Sequence, residues 1–324
     1  MSENLKGKVA VVTGSGQGIG RAIAVGLASE GAKVVTNNRR PGSTGKAFLT
    51  DTQEGMLGRE KKEWFESGMK AISGDAEMTA RTIREKGGEA LPFFGDITDF
   101  DVAGRLIQAA VDEFGKIDIL VNVAGAFGLS PIQEMPEELF DRVTQVKPKG
   151  YFNTIRHAVP HMIKQRWGRI MNCTSRAFLG DVIKHAEYCT ANAGVVGLTR
   201  AVAIELREFG ITCNAFSPFA LTRASYELEV YSATGENPFV FKGPMGGEGM
   251  LKITPGPEYV APFICYLASD AAARVSGSVF SLGGNSIGLY SDPTIISNLT
   301  KFGEGPWTME ELVQQVPRGL LSGY

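Results

Sequence analysis

The amino-acid sequence predicts an α/β protein built on a doubly wound parallel sheet, in a single domain with an insertion, a lid and a C-terminal extension. Short apolar segments alternate with longer amphipathic ones through most of the 324 residues, which predicts strands that alternate with helices. The short segments are almost continuously apolar, as expected for strands that are covered on both faces. A glycine-rich turn follows the first of them, at the place where such folds bind phosphate groups.

The alternation gives each element in chain order. Predicted strands occupy 8–14, 33–38, 91–96, 117–125, 168–175, 211–218 and 277–284. Predicted helices occupy 18–31, 76–90, 102–115, 136–165, 186–210 and 257–269. The long helix at 136–165 contains Pro148, which lacks an N–H group, so we expect an interruption there.

Three segments exceed this repeating pattern within a nucleotide-binding domain that we expect to span 1–284. The segment 40–75 is charged and glycine-rich, and it is interpreted as an insertion with one short helix. Aromatic residues and methionines among glycines in 219–256 favour a substrate lid, although a packed irregular loop fits the same composition. The C-terminal extension, 285–324, contains a capping box after Trp307 that predicts a short helix.

Composition excludes several classes of function. The formal net charge is −2, so the sequence shows no basic excess for binding nucleic acid or an anionic membrane surface. No apolar run is long enough to span a membrane, and the N-terminal residues lack the apolar core of a signal peptide. The four cysteines lack metal-ligand spacing, which predicts reduced thiols and no metal site in a cytoplasmic protein. With nucleic acid and membrane excluded, the expected partner is a small-molecule substrate.

The glycine-rich turn at 13–20 reads TGSGQGIG and lies between the first predicted strand and helix. In a Rossmann-type fold, Gly14 allows the tight turn, Gly18 lets the backbone approach a pyrophosphate, and Gly20 lets the helix pack on the strand. The phosphate then binds at the helix N-terminus, where free N–H groups favour an anion. Such a turn also occurs for packing alone, but its strand–turn–helix context favours a nucleotide site.

With this T-G-x-x-x-G-x-G spacing, the chain from about 6 to about 284 resembles a short-chain dehydrogenase/reductase. Asp96 matches the aspartate that holds the adenine in that family, and NVAG at 122–125 matches its N-N-A-G motif with one substitution. Ser175 and Tyr188 are thirteen residues apart, as the family's serine and tyrosine commonly are. The Ser-Pro pair ending at Pro218 matches the stretch beside the nicotinamide, and the segment 257–269 resembles 3-hydroxyacyl-CoA dehydrogenase members in particular.

The end of the second predicted strand favours NADP(H) over NAD(H). Family members that use NAD usually have an acidic residue there, whereas this chain has Asn38 followed by Arg39 and Arg40. An arginine can bind a 2′-phosphate that an acid would repel. The competing interpretation is that the two arginines form a solvated loop edge. The candidate cofactor-binding residues are Gly14, Ser15, Gly18, Ile19, Gly20, Asn38, Arg39, Asp96, Ile97, Asn122, Ala124, Gly125 and Pro218.

The resemblance implies that Tyr188 exchanges a proton with the substrate oxygen and that Ser175 hydrogen-bonds the same oxygen. The family places a lysine four residues after the tyrosine, where this chain has Asn192. It places an asparagine in the long helix, where this chain has Lys147. The candidate catalytic residues are therefore Ser175, Tyr188, Lys147 and Asn192, with the amide and the ammonium exchanged.

Two interpretations of this exchange remain open in the sequence. Lys147 could supply the positive charge from the opposite side and depress the pKa of Tyr188, or it could point to solvent, leaving Asn192 as a simple loss. Lys184 is a second candidate source of charge. His185 could line the pocket or act as an acid, although a surface position is the favoured interpretation. His157 and His161 share a helical face, but the sequence around them does not favour a metal site.

The resulting function is NADP(H)-dependent interconversion of a carbonyl and a secondary alcohol on a partly hydrophobic substrate, with an acyl thioester as one candidate. A cofactor-binding but catalytically impaired partner subunit is the first alternative, and a non-redox lyase or dehydratase on the same fold is the second. The resemblance also implies a homo-oligomer, either a dimer or a tetramer, built on the helices at 136–165 and 186–210.

Overall fold

A computed structural model describes residues 3–42, 58–126, 128–226, 254–302 and 305–320, and it confirms the predicted fold. Eight strands form one sheet in the order β3-β2-β1-β4-β5-β6-β7-β8, and every neighbouring pair is parallel except β7 and β8. The strands are β1 (Val9–Val12), β2 (Lys33–Asn38), β3 (Ala90–Phe94), β4 (Ile119–Asn122), β5 (Gly168–Cys173), β6 (Ile211–Phe219), β7 (Val279–Gly283) and β8 (Ser286–Leu289).

Helices connect the parallel strands, as the predicted alternation requires. They are α1 (Gly18–Ser29), α2 (Arg59–Ile72), α3 (Ala76–Glu85), α4 (Phe100–Phe114), α5 (Glu137–Thr144), α6 (Gly150–Gln165), α7 (Ala186–Glu205), α8 (Ala261–Ala268) and α9 (Met309–Gly319). Within the described residues, none of the helices combines the length and the apolar character needed to cross a membrane.

The sheet has an apolar core on each face, because successive strand residues point to opposite sides. Ala10 and Val12 of β1 belong to the core that includes residues of α1 and α8. Val9 and Val11 of the same strand belong to the other core, with residues of α4, α6 and α7. This alternation explains why the strands read as continuous apolar runs.

The order of the strands reverses direction between β1 and β4. At such a switch point, the loops that follow two neighbouring strands diverge and leave a crevice for a ligand. The glycine-rich turn follows β1, and the NVAG segment at 122–125 begins at the end of β4. The fold therefore brings the two sequence motifs to one crevice.

The predicted long helix is interrupted where Pro148 occurs. It consists of α5, a π-helical turn at Gln145–Lys149, and α6. Proline removes one helical hydrogen bond, and π turns are frequent at functional sites. The turn contains Lys147, whose side chain is buried.

The chain divides into two compact units, Met1–Leu289 and Tyr290–Tyr324. In the second unit, Thr308 begins α9 with the capping box expected from the sequence, since its hydroxyl accepts the Glu311 N–H group and the Glu311 carboxylate accepts the Thr308 N–H group. The edge strand β8, which sequence periodicity did not indicate, belongs to the first unit.

The insertion contributes one helix to the described structure, α2, and its segment 43–57 lies outside the described residues. The Trp64 ring lies 5.3 Å from that of Tyr226, measured between centroids, and a Cβ atom at Gly68 would collide with the same tyrosine ring. The insertion therefore packs on the start of the expected lid segment. The remaining aromatic residues and methionines of that segment, between 227 and 253, lie outside the described residues.

Candidate active site

The glycine-rich turn packs too tightly for side chains at two of its three expected glycine positions. A Cβ atom on Gly14 would lie 2.7 Å from the Cα atom of Ala124, and one on Gly20 would collide with the Gly14 carbonyl group. Gly14 and Gly18 both have positive φ angles, 63° and 51°, which L-residues rarely adopt. Among the described residues, only the Thr222 side chain lies within 4 Å of a Cβ atom at Gly18.

The turn and the start of α1 fit the pyrophosphate of a dinucleotide. The first turn of α1 contains no acidic side chain, and the N-cap side chain of Gln17 makes no capping hydrogen bond. An anion at this end would meet backbone N–H groups and the positive end of the helix dipole. Ile19, on the same first turn, packs against the core beneath.

Ser15 joins the turn to β2. Its side chain is fully buried, and its hydroxyl oxygen accepts a hydrogen bond of 2.8 Å from the Asn37 N–H group. A second bond runs from the Ser15 N–H group to the Asn37 carbonyl oxygen at 2.9 Å. The structure thus gives Ser15 a role in shaping the turn, which the sequence had not indicated.

At the end of β2, Asn38 has a buried side-chain oxygen with no hydrogen-bond partner among the described residues. A Cβ atom at Gly16 would collide with this side chain, so the amide lies against the glycine-rich turn. Arg39 and Arg40 follow and are exposed. An orphan buried amide beside this turn fits a ribose that supplies a hydrogen-bond partner.

The remaining candidate cofactor residues lie at the ends of β3, β4 and β6. Asp96 accepts a hydrogen bond from the Thr98 N–H group at 3.0 Å, and Ile97 is buried. Asn122 is fully buried in a hydrogen bond to Asn172 of 3.0 Å, so its side chain supports the sheet. Ala124, Gly125 and Pro218 lie at the same edge, and a Cβ atom on Gly125 would contact the Lys147 Cε atom at 3.4 Å.

The Tyr188 side chain makes hydrogen bonds with two other candidate catalytic residues. Burial is the largest influence on its pKa and raises it to about 12, followed by the effect of Cys173 in the same direction. Hydrogen bonds with the side chains of Ser175 and Asn192 act in the opposite direction. The protein alone therefore lacks the depressed pKa of Tyr188 that one of the two open interpretations requires, because burial outweighs the hydrogen bonds.

Lys147 points inward and its side chain is almost completely buried. Its ammonium group donates a 2.8 Å hydrogen bond to the Cys173 carbonyl oxygen and a 2.9 Å hydrogen bond to Oδ1 of Asn192. Nδ2 of Asn192 donates to the Tyr188 carbonyl oxygen at 2.8 Å. The interpretation of Lys147 as a solvent-exposed lysine is therefore wrong, and the exchanged ammonium and amide are in direct contact.

The Lys147 ammonium group is buried, and its described hydrogen-bond partners include no carboxylate. Burial lowers the pKa of Lys147, and the Cys173 thiol acts in the opposite direction. Its Nζ atom lies 5.7 Å from the centroid of the Tyr188 ring. Since an ammonium group has three N–H donors and two bond to described residues, one remains for water or a ligand.

The sequence did not indicate a role for Glu187, and it favoured a surface position for His185 over a place in the pocket. The expectation of a surface histidine is wrong, because His185 is buried and its ring centroid lies 5.8 Å from that of Tyr188. Nδ1 of His185 lies 3.3 Å from Oε1 of Glu187, which is completely buried. Spacing alone could not identify the pair, since both residues read as the polar start of a helix.

The remaining histidine and lysine candidates have other contacts. The ring of His157 packs on that of Phe100 at 4.3 Å, and its Nε2 atom lies 3.0 Å from the Phe100 carbonyl oxygen. No group of three or more histidine, cysteine or acidic side chains converges within the described ranges. Lys184 has a positive φ angle of 57° and accepts a hydrogen bond at its carbonyl oxygen from Ser130.

Known proteins share this fold and sequence pattern. The family model described as "short chain dehydrogenase" matches residues 8–60 and 61–227. An "Uncharacterized oxidoreductase" of Thermotoga maritima is 32 % identical over 283 residues, which is 87 % of this chain and 98 % of the relative. The "3-oxoacyl-[acyl-carrier-protein] reductase FabG" of Staphylococcus aureus is 30 % identical over 86 % of this chain and 97 % of its own.

A solved structure extends the likeness to the whole fold. The structure titled "Crystal structure of a short chain dehydrogenase from Mycobacterium avium" superposes with a TM-score of 0.73 and 30 % identity, covering 98 % of this chain and 95 % of the other. Because the family model covers more than half of the chain and full-length relatives exceed 30 % identity, this protein belongs to the short-chain dehydrogenase/reductase family of nicotinamide-dependent oxidoreductases.

Proposed function

We propose that the protein is an NADP(H)-dependent reductase that converts a carbonyl to a secondary alcohol, with Tyr188 as the proton donor. The observation that best supports this function is a continuous chain of contacts that runs from Ser175 through Tyr188 and Asn192 to Lys147. These four side chains supply a hydroxyl pair for the substrate oxygen and a buried positive charge behind it. A bound nicotinamide would supply the hydride to the carbonyl carbon.

The pKa of Tyr188 favours reduction. With a pKa of about 12, the phenol is neutral at pH 7 and can donate its proton to the oxygen that becomes an alcohol. Ser175 can hydrogen-bond the same oxygen and hold it near the phenol. Oxidation of an alcohol would instead need the phenolate, which is scarce at pH 7 unless a bound ligand lowers the pKa.

Lys147 assists Tyr188 through Asn192. The ammonium group binds the amide oxygen of Asn192, which polarises the amide and strengthens the hydrogen bonds that its NH₂ group donates. One such bond lowers the pKa of Tyr188. The phenolate that forms after proton donation is thereby stabilised, so that Asn192 transmits the charge that a lysine at 192 would supply directly.

The end of β2 supports the preference for NADP(H). The Asn38 amide can either accept from a ribose hydroxyl or donate to a phosphate, and the exposed guanidinium of Arg39 follows it directly. We expect Arg39→Ala to raise the KM for NADPH about 10-fold or more, as for loss of a charge-assisted hydrogen bond, and to leave the KM for NADH unchanged. Arg40→Ala is the matched control.

The substrate class is proposed from composition and from the relatives. The FabG relative is named for a 3-oxoacyl group carried on a protein, so a 3-oxoacyl thioester is the first substrate to test. We also propose a cytoplasmic homo-oligomer. Exposed apolar residues on the helices expected at the interface support this assembly: Phe140, Phe152 and Ile204.

Turnover of a 3-oxoacyl thioester with NADPH, followed by loss of NADPH absorbance, tests the proposal. We expect Tyr188→Phe to lower kcat by about 10²–10⁴-fold, the contribution of a positioned proton donor. Tyr266→Phe is the matched control, because Tyr266 is exposed on α8. Equal activity of Tyr188→Phe and wild type would rule out Tyr188 as the donor.

A second candidate function is a cofactor-binding subunit with impaired catalysis. An amide at 192 and a tyrosine pKa of about 12 support it, and the retained glycine-rich turn favours it over a non-redox reaction. It predicts tight NADPH binding, measured by fluorescence, together with no turnover of any carbonyl and no effect of Tyr188→Phe. A measurable kcat that Tyr188→Phe abolishes would exclude it.

A further inference from the structure

The first turn of α7 carries a buried acidic residue that the proposed chemistry does not use. Glu187 is completely buried and directly precedes Tyr188. We propose that Glu187 is a positioning residue, which fixes the loop after β4 against the start of α7 and thereby holds Tyr188 in its reactive position. This inference rests on the proposed function for its catalytic consequence, but its structural content can be tested separately.

Two hydrogen bonds join the loop after β4 to the start of α7. The Gly128 N–H group donates to Oε1 of Glu187 at 3.2 Å, and the Ser130 N–H group donates to the Lys184 carbonyl oxygen at 2.9 Å. Lys184 has a left-handed backbone, with φ 57°, at this point of contact. The loop and the helix start therefore form one hydrogen-bonded unit.

The loop in question begins inside the candidate active site. It starts at Ala124, which lies against Gly14 of the glycine-rich turn, and continues through Gly125, which lies beside the Lys147 side chain. A displacement of this loop would therefore move the floor of the dinucleotide site relative to Tyr188. Other side chains hydrogen-bond the first residues of the loop, and Glu187 holds it further along, at Gly128.

Glu187 also orients the group that flanks Tyr188. Oε1 of Glu187 lies 3.3 Å from Nδ1 of His185, and the His185 ring lies 5.8 Å from the Tyr188 ring at an interplanar angle of 52°. One carboxylate oxygen thus serves both the loop and the imidazole. The Tyr188 ring thus lies 5.8 Å from the His185 ring and 5.7 Å from Nζ of Lys147.

Energetics argue that this carboxylate has a role beyond stability. Oε2 of Glu187 is buried and has no hydrogen-bond partner among the described residues. A buried polar atom without a partner reduces stability. An apolar side chain would fill this space at a lower energetic cost. The carboxylate of Glu187 instead accepts the hydrogen bond from the Gly128 N–H group.

The test compares Glu187→Ala and Glu187→Gln with wild type in the full-length protein, using NADPH and the 3-oxoacyl thioester. The alanine variant loses the acceptor for Gly128, and we expect kcat to fall about 10–100-fold, as small misplacements of reacting groups do. The glutamine variant keeps an acceptor oxygen, and we expect its kcat to lie within about 3-fold of wild type. Glu205→Ala, at the exposed end of α7, is the control.

A readout independent of turnover separates positioning from general stability. Hydrogen–deuterium exchange should become faster in residues 124–131 of Glu187→Ala, while exchange in the core strands β2 and β7 stays near that of wild type. Unchanged exchange in this loop, or a kcat of Glu187→Ala within twofold of wild type, would overturn the proposal. An equal kcat loss in both variants would also overturn it, because the glutamine keeps the acceptor.

The two proposals can fail separately. If wild type reduces no carbonyl, the proposed function fails, and exchange in residues 124–131 still decides whether Glu187 fixes the loop. If wild type is active and Glu187→Ala is equally active, the positioning role fails and the proposed function stands.

Discussion

The strand β5 has a buried cation at each end, and the two cations are satisfied very differently. Arg169 lies at the amino end and is 2 % exposed, and Lys147 reaches the carboxyl end and is 3 % exposed. The Arg169 side chain contacts the Trp167 ring at 4.2 Å. Its guanidinium also bonds to three carbonyl oxygens and a carboxylate, those of Gly168, Gly210, Ser269 and Asp270.

Lys147 has fewer partners, and the described ones carry no formal charge. Its hydrogen bonds reach the Cys173 carbonyl oxygen and the Asn192 amide oxygen, and burial lowers its pKa. A buried charge without a paired carboxylate is unfavourable for folding. Arg169 therefore joins segments of the fold. Lys147, in contrast, is retained although its buried charge lowers stability, and it lies at the end of the strand where ligands bind.

The largest effect on stability is expected at Arg169. Arg169→Met would leave carbonyl oxygens of three segments without their donor and remove the stacking on Trp167, so we expect the free energy of unfolding to fall by about 1–3 kcal/mol, as for a hydrogen-bonding group left without its partner. Urea denaturation followed by fluorescence measures this loss. In the fraction that remains folded, kcat should match wild type, and a selective loss of kcat would contradict the assignment of Arg169 to structure.

The next largest effect is expected at Lys147, on activity. Lys147→Met removes the charge behind Asn192 and keeps most of the side-chain volume, so we expect kcat to fall about 10–100-fold at unchanged affinity for NADPH. The free energy of unfolding should stay the same or rise, because the substitution removes a buried charge whose pKa is lowered.

Lys149→Met is the matched control for this substitution. Lys149 lies in the same π turn and binds the Asn153 side chain at 2.7 Å, away from Tyr188. Its loss should leave kcat within about twofold of wild type. If the two substitutions lowered kcat equally, the effect would come from the π turn rather than from the charge of Lys147.

The stability of the protein should depend on pH at the Lys147 end of β5, because Tyr188 of α7 lies there and titrates. The pKa of Tyr188 is raised from about 10 in an unfolded chain to about 12 in the fold. Tyr188 thus binds its proton more tightly in the folded state than in the unfolded state. The contribution of the protonated Tyr188 to the free energy of unfolding is complete below pH 10 and is lost as the pH rises from 10 to 12.

The magnitude at stake is at most about 2.7 kcal/mol for a shift of two pKa units, and access of solvent to the ring reduces it. Chemical denaturation at pH 9, 10 and 11 should show a decline that is weaker in Tyr188→Phe than in wild type. At pH 6–9, the kcat for carbonyl reduction should be nearly constant, because the phenol stays protonated. A decline of kcat centred near pH 7 would contradict Tyr188 as the donor.

The sequence predicted the fold because hydrophobic periodicity and glycine position are local properties. Each parallel strand of the sheet was indicated by an apolar run, and the turn at 13–20 by its glycines, of which Gly14 and Gly18 adopt positive φ angles that a side chain would disfavour. The antiparallel β8 was missed, because Ser286–Leu289 is only four residues long and fully exposed, and a strand this short gives too little pattern to recognise.

Burial of polar residues could not be predicted, because it depends on which segments meet in the folded chain. The contact between Lys147 and Asn192 joins residues 45 positions apart, and the bond between Gly128 and Glu187 spans 59 positions. Residue types and spacing suggested that Lys147 could replace a missing charge. Only the fold places its ammonium group on the Asn192 amide and shows that burial dominates the pKa of Tyr188.

The smallest net effect is expected when the two residues exchange places. Asn192→Lys alone would bring a second ammonium group next to that of Lys147, so we expect lower stability and at least a tenfold loss of kcat from like-charge repulsion. Lys147→Asn combined with Asn192→Lys restores one ammonium and one amide in contact. Its kcat should therefore lie within about fivefold of wild type, although each single substitution loses more. A double-mutant cycle on kcat/KM measures the coupling free energy, and additive losses would show that Lys147 and Asn192 act independently.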